Sequence, residues 1–95
     1  MFARTSTWSG SSEALEKWGN QAETTVRSFV EGLPGNSGVM FFVDRSTGTA
    51  LTLTLWATEQ DAEATDRFAD QSRASTIAAS GVELVRTGHY EVIAA

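Results

Sequence analysis

The chain has 95 residues, of which 41% are hydrophobic and 20% are charged, so we expect one domain spanning residues 1–95 with a limited core. Its net charge of −5 and its seven scattered basic residues argue against a nucleic-acid partner or an anionic membrane surface, since both need clustered Lys and Arg. The lack of cysteine, of a long apolar run and of a leader-like N-terminus predicts a cytoplasmic protein without disulfides, thiolate metal sites or a membrane span.

The first half of the chain predicts a strand, a helix and a second strand. Residues 1–8 alternate as in a strand, and the serine-rich turn SGSS that follows supplies a helix N-cap. Apolar residues then recur in steps of three and four as far as Leu33, which predicts a helix that ends at GLPGNSG (32–38). The segment VMFFV (39–43) predicts a strand that is apolar on both sides.

The middle of the chain predicts a hairpin followed by a capped helix. The loop DRSTG (44–48) separates the second strand from ALTLTLWA (50–57), whose strict alternation predicts the third strand. Thr58 and Asp61 have the spacing at which a threonine side chain caps a helix N-terminus. A second helix is therefore predicted to begin there and to run to about Ala79.

The last part of the chain predicts a helix end and a fourth strand. Gly81 ends the second helix, and VELVRTGHYEVIAA (82–95) predicts a strand in which Gly88 is a candidate bulge. The element order is therefore β-α-β-β-α-β. This order predicts an α+β, ferredoxin-like fold in which a four-stranded antiparallel sheet carries both helices on one face.

Alternation in the third strand predicts two faces of the sheet. Leu51, Leu53 and Leu55 are expected to form the floor beneath the helices. The residues assigned to the opposite, uncovered face and to ligand binding are Met40, Phe42, Thr52, Thr54 and Trp56. Because such a mixed surface is too apolar to be left solvated, we predict a pocket sealed by a second copy of the chain, sheet against sheet. The alternative is an ordinary dimer core without a ligand.

The strand-ending tryptophan and the capped helix after it, LWATEQDAEAT (55–65), resemble the dimeric α+β-barrel superfamily and, within it, the antibiotic biosynthesis monooxygenase-like domains. The resemblance implies a homodimer and identifies Trp56 as the pocket tryptophan. The axial histidine of haem-degrading members is replaced here by Asp66, which argues against haem. The asparagine and tyrosine of the polyketide monooxygenases are replaced by Thr52 and Ala62.

Few other residues suggest chemistry. His89 is the only histidine and the candidate base that takes a proton from a phenol, although a rim or surface position beside Tyr90 is favoured over that role. No carboxylate cluster has the spacing of metal ligands, so neither a metal nor a cofactor is expected. Arg4 and Arg86 are candidates for binding an anionic substrate, or are surface residues.

Three functions are compatible with these features to different degrees. The first is a homodimeric small-molecule-binding barrel, with cofactor-independent monooxygenation of an aromatic or quinol-like ligand as its candidate reaction. The second is a non-catalytic dimerisation or ligand-sensing domain, which the missing family residues favour. The third, an RNA-binding sheet, is disfavoured because the chain is acidic and its third strand lacks paired aromatics.

Overall fold

The computed structural model describes all 95 residues and contains a single sheet of four strands. The strands are β1 (Phe2–Ser9), β2 (Asn36–Asp44), β3 (Thr49–Trp56) and β4 (Glu83–Glu91). They lie in the order β2-β3-β1-β4, and every neighbouring pair is antiparallel. The predicted ferredoxin-like α+β fold is confirmed.

The first helical segment is not a regular α-helix throughout. It comprises α1 (Ser12–Gln21), a π-helical turn (Ala22–Val26) and α2 (Arg27–Glu31). Its start agrees with the sequence, because the Ser11 hydroxyl accepts a hydrogen bond from the Ala14 backbone N–H at 3.1 Å. Serine is favoured at this position because it satisfies a backbone donor that has no partner within the helix.

The second helical segment is broken, although the sequence predicts one helix. It consists of α3 (Glu59–Ala64) and α4 (Asp66–Ser80), with Thr65 between them. The Thr58 side chain caps the start of α3, as predicted. At the break, the Thr65 hydroxyl and the Arg4 guanidinium both donate to the carbonyl oxygen of Ala62, so the carbonyl has partners outside the regular α-helical ladder.

The predicted faces of β3 are reversed in the structure. Trp56 is only 1% exposed and packs beneath the helices with Val30, Val39 and Ala62. The physical reason is volume: apart from Arg73, the inward stripe of α4 consists of small residues, so most of the bulk that fills the core must come from the sheet. The small residues of the stripe are Ala69, Ser72 and Thr76. The leucines predicted to form the floor of the helices, Leu51, Leu53 and Leu55, lie on the other side and are partly exposed.

The ends and irregularities of the strands also differ from the predictions. β2 begins at Asn36 rather than at residue 39, and β4 ends at Glu91 rather than at residue 95. The predicted bulge at Gly88 is wrong, because the register between β1 and β4 shifts where Val85 is inserted. Gly88 is instead constrained by packing: a Cβ atom there would lie 2.6 Å from the ring of Tyr90.

One side of the sheet has no helix over it. We call it the open face, and by register it consists of Ala3, Thr5, Thr7, Met40, Phe42, Leu51, Leu53, Leu55, Arg86 and Tyr90. Met40 and Phe42 are 45% and 47% exposed. None of the helices combines the length and apolarity that crossing a membrane requires.

Candidate functional site

The main candidate site is a cavity between the sheet and the helices, with a volume of about 50 Å³. We call it the inner cavity. Its sheet side consists of Arg4, Ser6, Trp8, Phe41, Thr52, Thr54 and Trp56. Its helix side consists of Trp18, Ala22, Val26, Phe29, Val30, Leu33, Ala69, Ser72, Arg73 and Thr76. Mostly apolar walls with a few polar groups are typical of small-molecule sites.

All three tryptophans of the chain line the inner cavity. The indole N–H of Trp56 donates to the Thr54 hydroxyl at 2.9 Å, and that of Trp8 donates to the Thr52 hydroxyl at 3.1 Å. Because a buried indole N–H needs a partner, each threonine fixes the orientation of one ring. The alternating threonines of β3 are therefore ring-positioning residues on the floor of the cavity.

Arg4 is the most deeply buried charged residue of the site, with 4% of its surface exposed. Its guanidinium donates to the Ala62 carbonyl oxygen and forms an ion pair with Asp66 at 2.7 Å. It also lies over the indole of Trp56, with 5.2 Å between Cζ and the ring centroid. Its Nε atom is buried and has no hydrogen-bond partner.

The surroundings of Arg4 disfavour the charged form of its guanidinium. Burial lowers the pKa of its guanidinium, and the nearby positive charge of Arg73 lowers this pKa further, while Asp66 acts in the opposite direction. Arg73 comes from α4, borders the same cavity and pairs with Asp70 at 2.5 Å. Two guanidinium groups therefore share one largely apolar cavity.

The structure brings together only part of the predicted site. Thr52, Thr54 and Trp56 line one cavity, which lies beneath the helices, whereas the sequence analysis placed their pocket against a second subunit. Met40 and Phe42 do not reach it, because the strand alternation places them on the open face. These two residues were assigned to the pocket together with Trp56 because the faces of β3 were predicted in reverse.

His89 lies outside the inner cavity. It is exposed on the edge strand β4, and its ring contacts Phe2 edge-on at a centroid distance of 6.2 Å. Its neighbour across the β1–β4 pairing is Arg4, so both side chains leave the same face of the sheet; Arg4 is buried beneath the helices, whereas His89 is exposed at the sheet edge. Arg86 is also exposed, on the open face.

The sequence analysis missed Arg73 as a site residue, and it also did not assign Trp8 and Trp18 to the pocket. Arg73 lies four residues after Ala69 and three before Thr76, so it belongs to the helical stripe that faces the sheet. That spacing is visible in the sequence, but a charged residue in a polar helix is ordinarily assigned to the solvated side. Its side chain is 18% exposed, and its guanidinium pairs with the more exposed carboxylate of Asp70.

The inner cavity continues into a groove between the two helical segments. The groove has a volume of about 260 Å³ and shares Val26, Phe29, Ser72 and Thr76 with the cavity. Its remaining walls are Gln21, Thr25, Gln71 and Ser75, which are all polar. The π-helical turn supplies residues to both spaces, and such turns are frequent at functional sites. The groove therefore adjoins the inner cavity, and four residues border both spaces.

No group of three or more His, Cys, Asp or Glu side chains is arranged to hold a metal ion. The sequence matches no protein-family model and no curated protein.

Solved structures with the same fold exist, at low sequence identity. A protein from Deinococcus radiodurans assigned as an antibiotic biosynthesis monooxygenase is 17% identical, with a TM-score of 0.74 over 100% of this chain and 95% of that chain. The ActVA-Orf6 monooxygenase of Streptomyces coelicolor, solved in complex with nanaomycin D, is 14% identical, with a TM-score of 0.76 over 99% of this chain and 88% of that chain.

A third structure is a variant of SnoaB, a cofactor-independent oxygenase from Streptomyces nogalater. It is 16% identical, with a TM-score of 0.66 over 99% of this chain and 94% of that chain. The resemblance predicted from the strand-ending tryptophan and the element order is confirmed at the level of the fold. This chain has the fold of the antibiotic biosynthesis monooxygenase-like proteins.

Proposed function

We propose that this chain is a homodimeric small-molecule-binding protein whose inner cavity takes an aromatic or quinol-like ligand, with cofactor-independent monooxygenation as its reaction. The observation that carries the proposal is the gathering of all three tryptophans around one cavity that also holds hydroxyl and guanidinium groups. Indole faces bind flat aromatic ligands by stacking, and the hydroxyl groups can orient the ligand's oxygen atoms. The similarly folded S. coelicolor monooxygenase holds nanaomycin D, which supports a ligand of this kind.

The size of the cavity adds a condition to this proposal. A volume of about 50 Å³ is room for a few water molecules, whereas a benzene ring needs a cavity of about 150 Å³. A multi-ring ligand must therefore also occupy the groove, and the helical segments must separate to admit it. Small residues on α4, Ala69 and Ser72 among them, leave space on that side.

His89 is not required by this proposal as a base, because it lies outside the inner cavity. An acidic phenol or quinol can lose its proton to water once its anion is stabilised. The bound anion then supplies the electrons itself: O₂ adds to a ring carbon that carries hydrogen, and the resulting peroxide takes up a proton and loses water to leave a carbonyl group. The site has only to bind and orient the anion.

Oxygen uptake tests the proposal. Purified protein is incubated with a panel of anthrones and quinols while dissolved O₂ is followed, and the same panel is tested for quenching of tryptophan fluorescence. We expect uptake with at least one compound, and we expect Trp56→Phe to weaken its binding by roughly three- to tenfold, the size of one aromatic contact. Tyr90→Phe, on the open face, is the matched control and should bind like the wild type.

The outcomes separate the parts of the proposal. Uptake no faster than in the absence of protein would remove the oxygenase function, and the absence of quenching by every compound would remove the ligand site. Loss of O₂ uptake in His89→Ala would show that the reaction needs the His89 imidazole, as a general base would require.

A non-catalytic ligand-sensing or dimerisation domain is the second candidate. It is favoured by the absence of a histidine or a carboxylate from the lining of the inner cavity. In a thermal-shift screen, a sensor should show a ligand that raises the melting temperature without O₂ uptake. A purely structural dimer should respond only to protein concentration.

The dimer part of the proposal is based on the open face. Its exposed or partly exposed apolar residues are Met40, Phe42, Leu51, Leu53, Leu55 and Tyr90. A contiguous surface of this kind is unusual on a monomer, and a twofold interface with the same face of a second copy covers it with one self-complementary contact.

A further inference from the structure

We propose that the inner cavity selects an anionic ligand, an aromatic molecule whose carboxylate or ionised hydroxyl group binds between Arg4 and Arg73. This inference builds on the proposed ligand-binding function of the same cavity. It adds the charge of the ligand, which neither the fold nor the structural relatives specify.

The first observation is the unsatisfied donor on Arg4. Its two terminal nitrogens donate hydrogen bonds to Ala62, Thr65 and Asp66. Its Nε atom has no hydrogen-bond partner, although only 4% of the residue is exposed. Buried N–H groups without a partner are rare and destabilising. An oxygen atom of a bound anion would satisfy this donor with a charge-assisted hydrogen bond.

The second observation is the pair of like charges at one cavity. Arg4 and Arg73 both line the inner cavity, and the Arg73 charge is close enough to lower the pKa of Arg4. Their carboxylate partners lie on the outer side: the side chains of Asp66 and Asp70 are 52% and 75% exposed, compared with 5% and 18% for the two arginines. Solvent therefore screens the negative charges more than the positive ones.

The third observation is the position of Arg4 over Trp56. The guanidinium lies over the indole, with 5.2 Å between Cζ and the ring centroid, so a ligand that contacts Trp56 also lies close to this positive charge. A flat ring in contact with the tryptophans would place an acidic substituent next to Arg4. Thr54, which is paired with Arg4 across the sheet, and Ser6, two residues further along β1, also line the cavity and carry hydroxyl groups.

The competing explanation is that both arginines only crosslink secondary structure. Arg4 does join β1 to the break between α3 and α4, and Arg73 does pair within its own helix. A purely structural role, however, gives no reason for a ligand's affinity to depend on its charge. Charge discrimination by the cavity is therefore the measurement that separates the two explanations.

The experiment compares 2-naphthoate with its neutral counterpart 2-naphthamide, followed by quenching of the cavity tryptophans. Because hydrogen bonds to charged groups are stronger than neutral ones, we expect naphthoate to bind about tenfold more tightly than naphthamide. In Arg73→Gln the affinity for naphthoate should fall by about the same factor, while that for naphthamide should stay as in the wild type. Arg67→Gln removes the same charge from an exposed position of α4 and should change neither affinity.

A second comparison uses 2-naphthol, titrated with pH. If the cavity accepts ionised hydroxyl groups, its affinity should rise as the naphthol loses its proton, and should rise less in Arg73→Gln. Tight naphthoate binding without this rise would identify the ligand as a carboxylate, and the rise without naphthoate selectivity would identify it as a phenolate-type anion.

Equal affinities for naphthoate and naphthamide, with no rise for naphthol, would overturn the anion proposal and leave the aromatic cavity standing. Binding of none of the three probes would overturn the proposed ligand site itself, and the anion proposal with it. Arg4→Gln is a supporting variant only, because the loss of a buried residue can also unfold the protein.

Discussion

Trp56 belongs both to the hydrophobic core and to the lining of the inner cavity. It is 1% exposed, packs against residues from two helical segments and forms part of the cavity floor. We expect Trp56→Ala to lower the free energy of unfolding by about 3–5 kcal/mol, as large-to-small changes in a core do. Trp56→Phe keeps most of the packing, loses the hydrogen bond to Thr54 and should cost clearly less. Urea denaturation measures both, and a cost below about 1 kcal/mol for Trp56→Ala would contradict the observed packing.

Arg4 is also expected to matter for stability. Replacement by methionine keeps the length of the stem but leaves the Ala62 carbonyl oxygen and the Thr65 hydroxyl with fewer donors in a buried region. We expect the free energy of unfolding to fall by about 1–3 kcal/mol. Arg67→Met, at an exposed position of α4, should stay within about 0.5 kcal/mol of the wild type. Equal effects of the two changes would show that the Arg4 contacts contribute nothing specific.

At the scale of single residues, the sequence placed Trp56 and both threonines on the same face of β3 but assigned that face to the wrong side of the sheet. Alternation separates Thr52 from Leu53 with certainty, because successive side chains of a strand point to opposite faces. It does not say which set meets the helices. The leucine set and the threonine–tryptophan set alternate with the same period, so either could face the helices. The volume left free by the small residues of α4 decides which set does.

At the scale of elements, the β2–β3 hairpin loop gives a prediction of pH dependence. The Asp44 carboxylate accepts hydrogen bonds from the Ser46 hydroxyl at 2.7 Å and from the backbone N–H groups of Ser46 and Thr47, and these bonds lower its pKa. A depressed folded-state pKa means that the carboxylate contributes stability above its unfolded pKa of about 3.9. That contribution is lost as the pH falls through the lower, folded-state value.

The test compares melting temperatures of wild type and Asp44→Asn as the pH is lowered. The wild type should be more stable near neutral pH, and the difference should shrink as the pH falls from about 4, the unfolded-state pKa, through the lower folded-state pKa of Asp44. Ser46→Ala is a matched variant that removes the first partner and should reduce the pH dependence. A difference that is constant between neutral pH and pH 3 would contradict the assignment.

The elements themselves could be located because their signals are local. Ser11 and Thr58 cap the helices where the sequence places them, and Gly81 ends α4 with a φ of 82°. The break at Thr65 could not be foreseen, because it depends on Arg4, which is 61 residues away in the sequence. The inserted residue Val85 likewise reflects pairing between distant strands.

At the scale of the whole molecule, the open face predicts self-association. Leu53 lies near the middle of this face, on a central strand. If two copies pack face to face, Leu53→Glu buries a charge at the interface, and we expect a monomer at concentrations at which the wild type is a dimer. Ala78→Glu, exposed on α4, adds the same charge elsewhere and should leave the dimer intact. Sedimentation equilibrium distinguishes these cases, and a monomeric wild type would contradict the proposed interface.

The sequence by itself determined the order of elements, the helix caps, the ferredoxin-like fold and the separation of Thr52, Thr54 and Trp56 from the leucines that alternate with them. These depend on periodicity and on contacts between near neighbours, which a linear pattern contains. Only the tertiary structure decided which face of the sheet the helices cover, and hence that Arg4 and Arg73 border one cavity while Met40 and Phe42 lie outside it. That choice depends on how the volumes of distant side chains fit together, which no local pattern specifies.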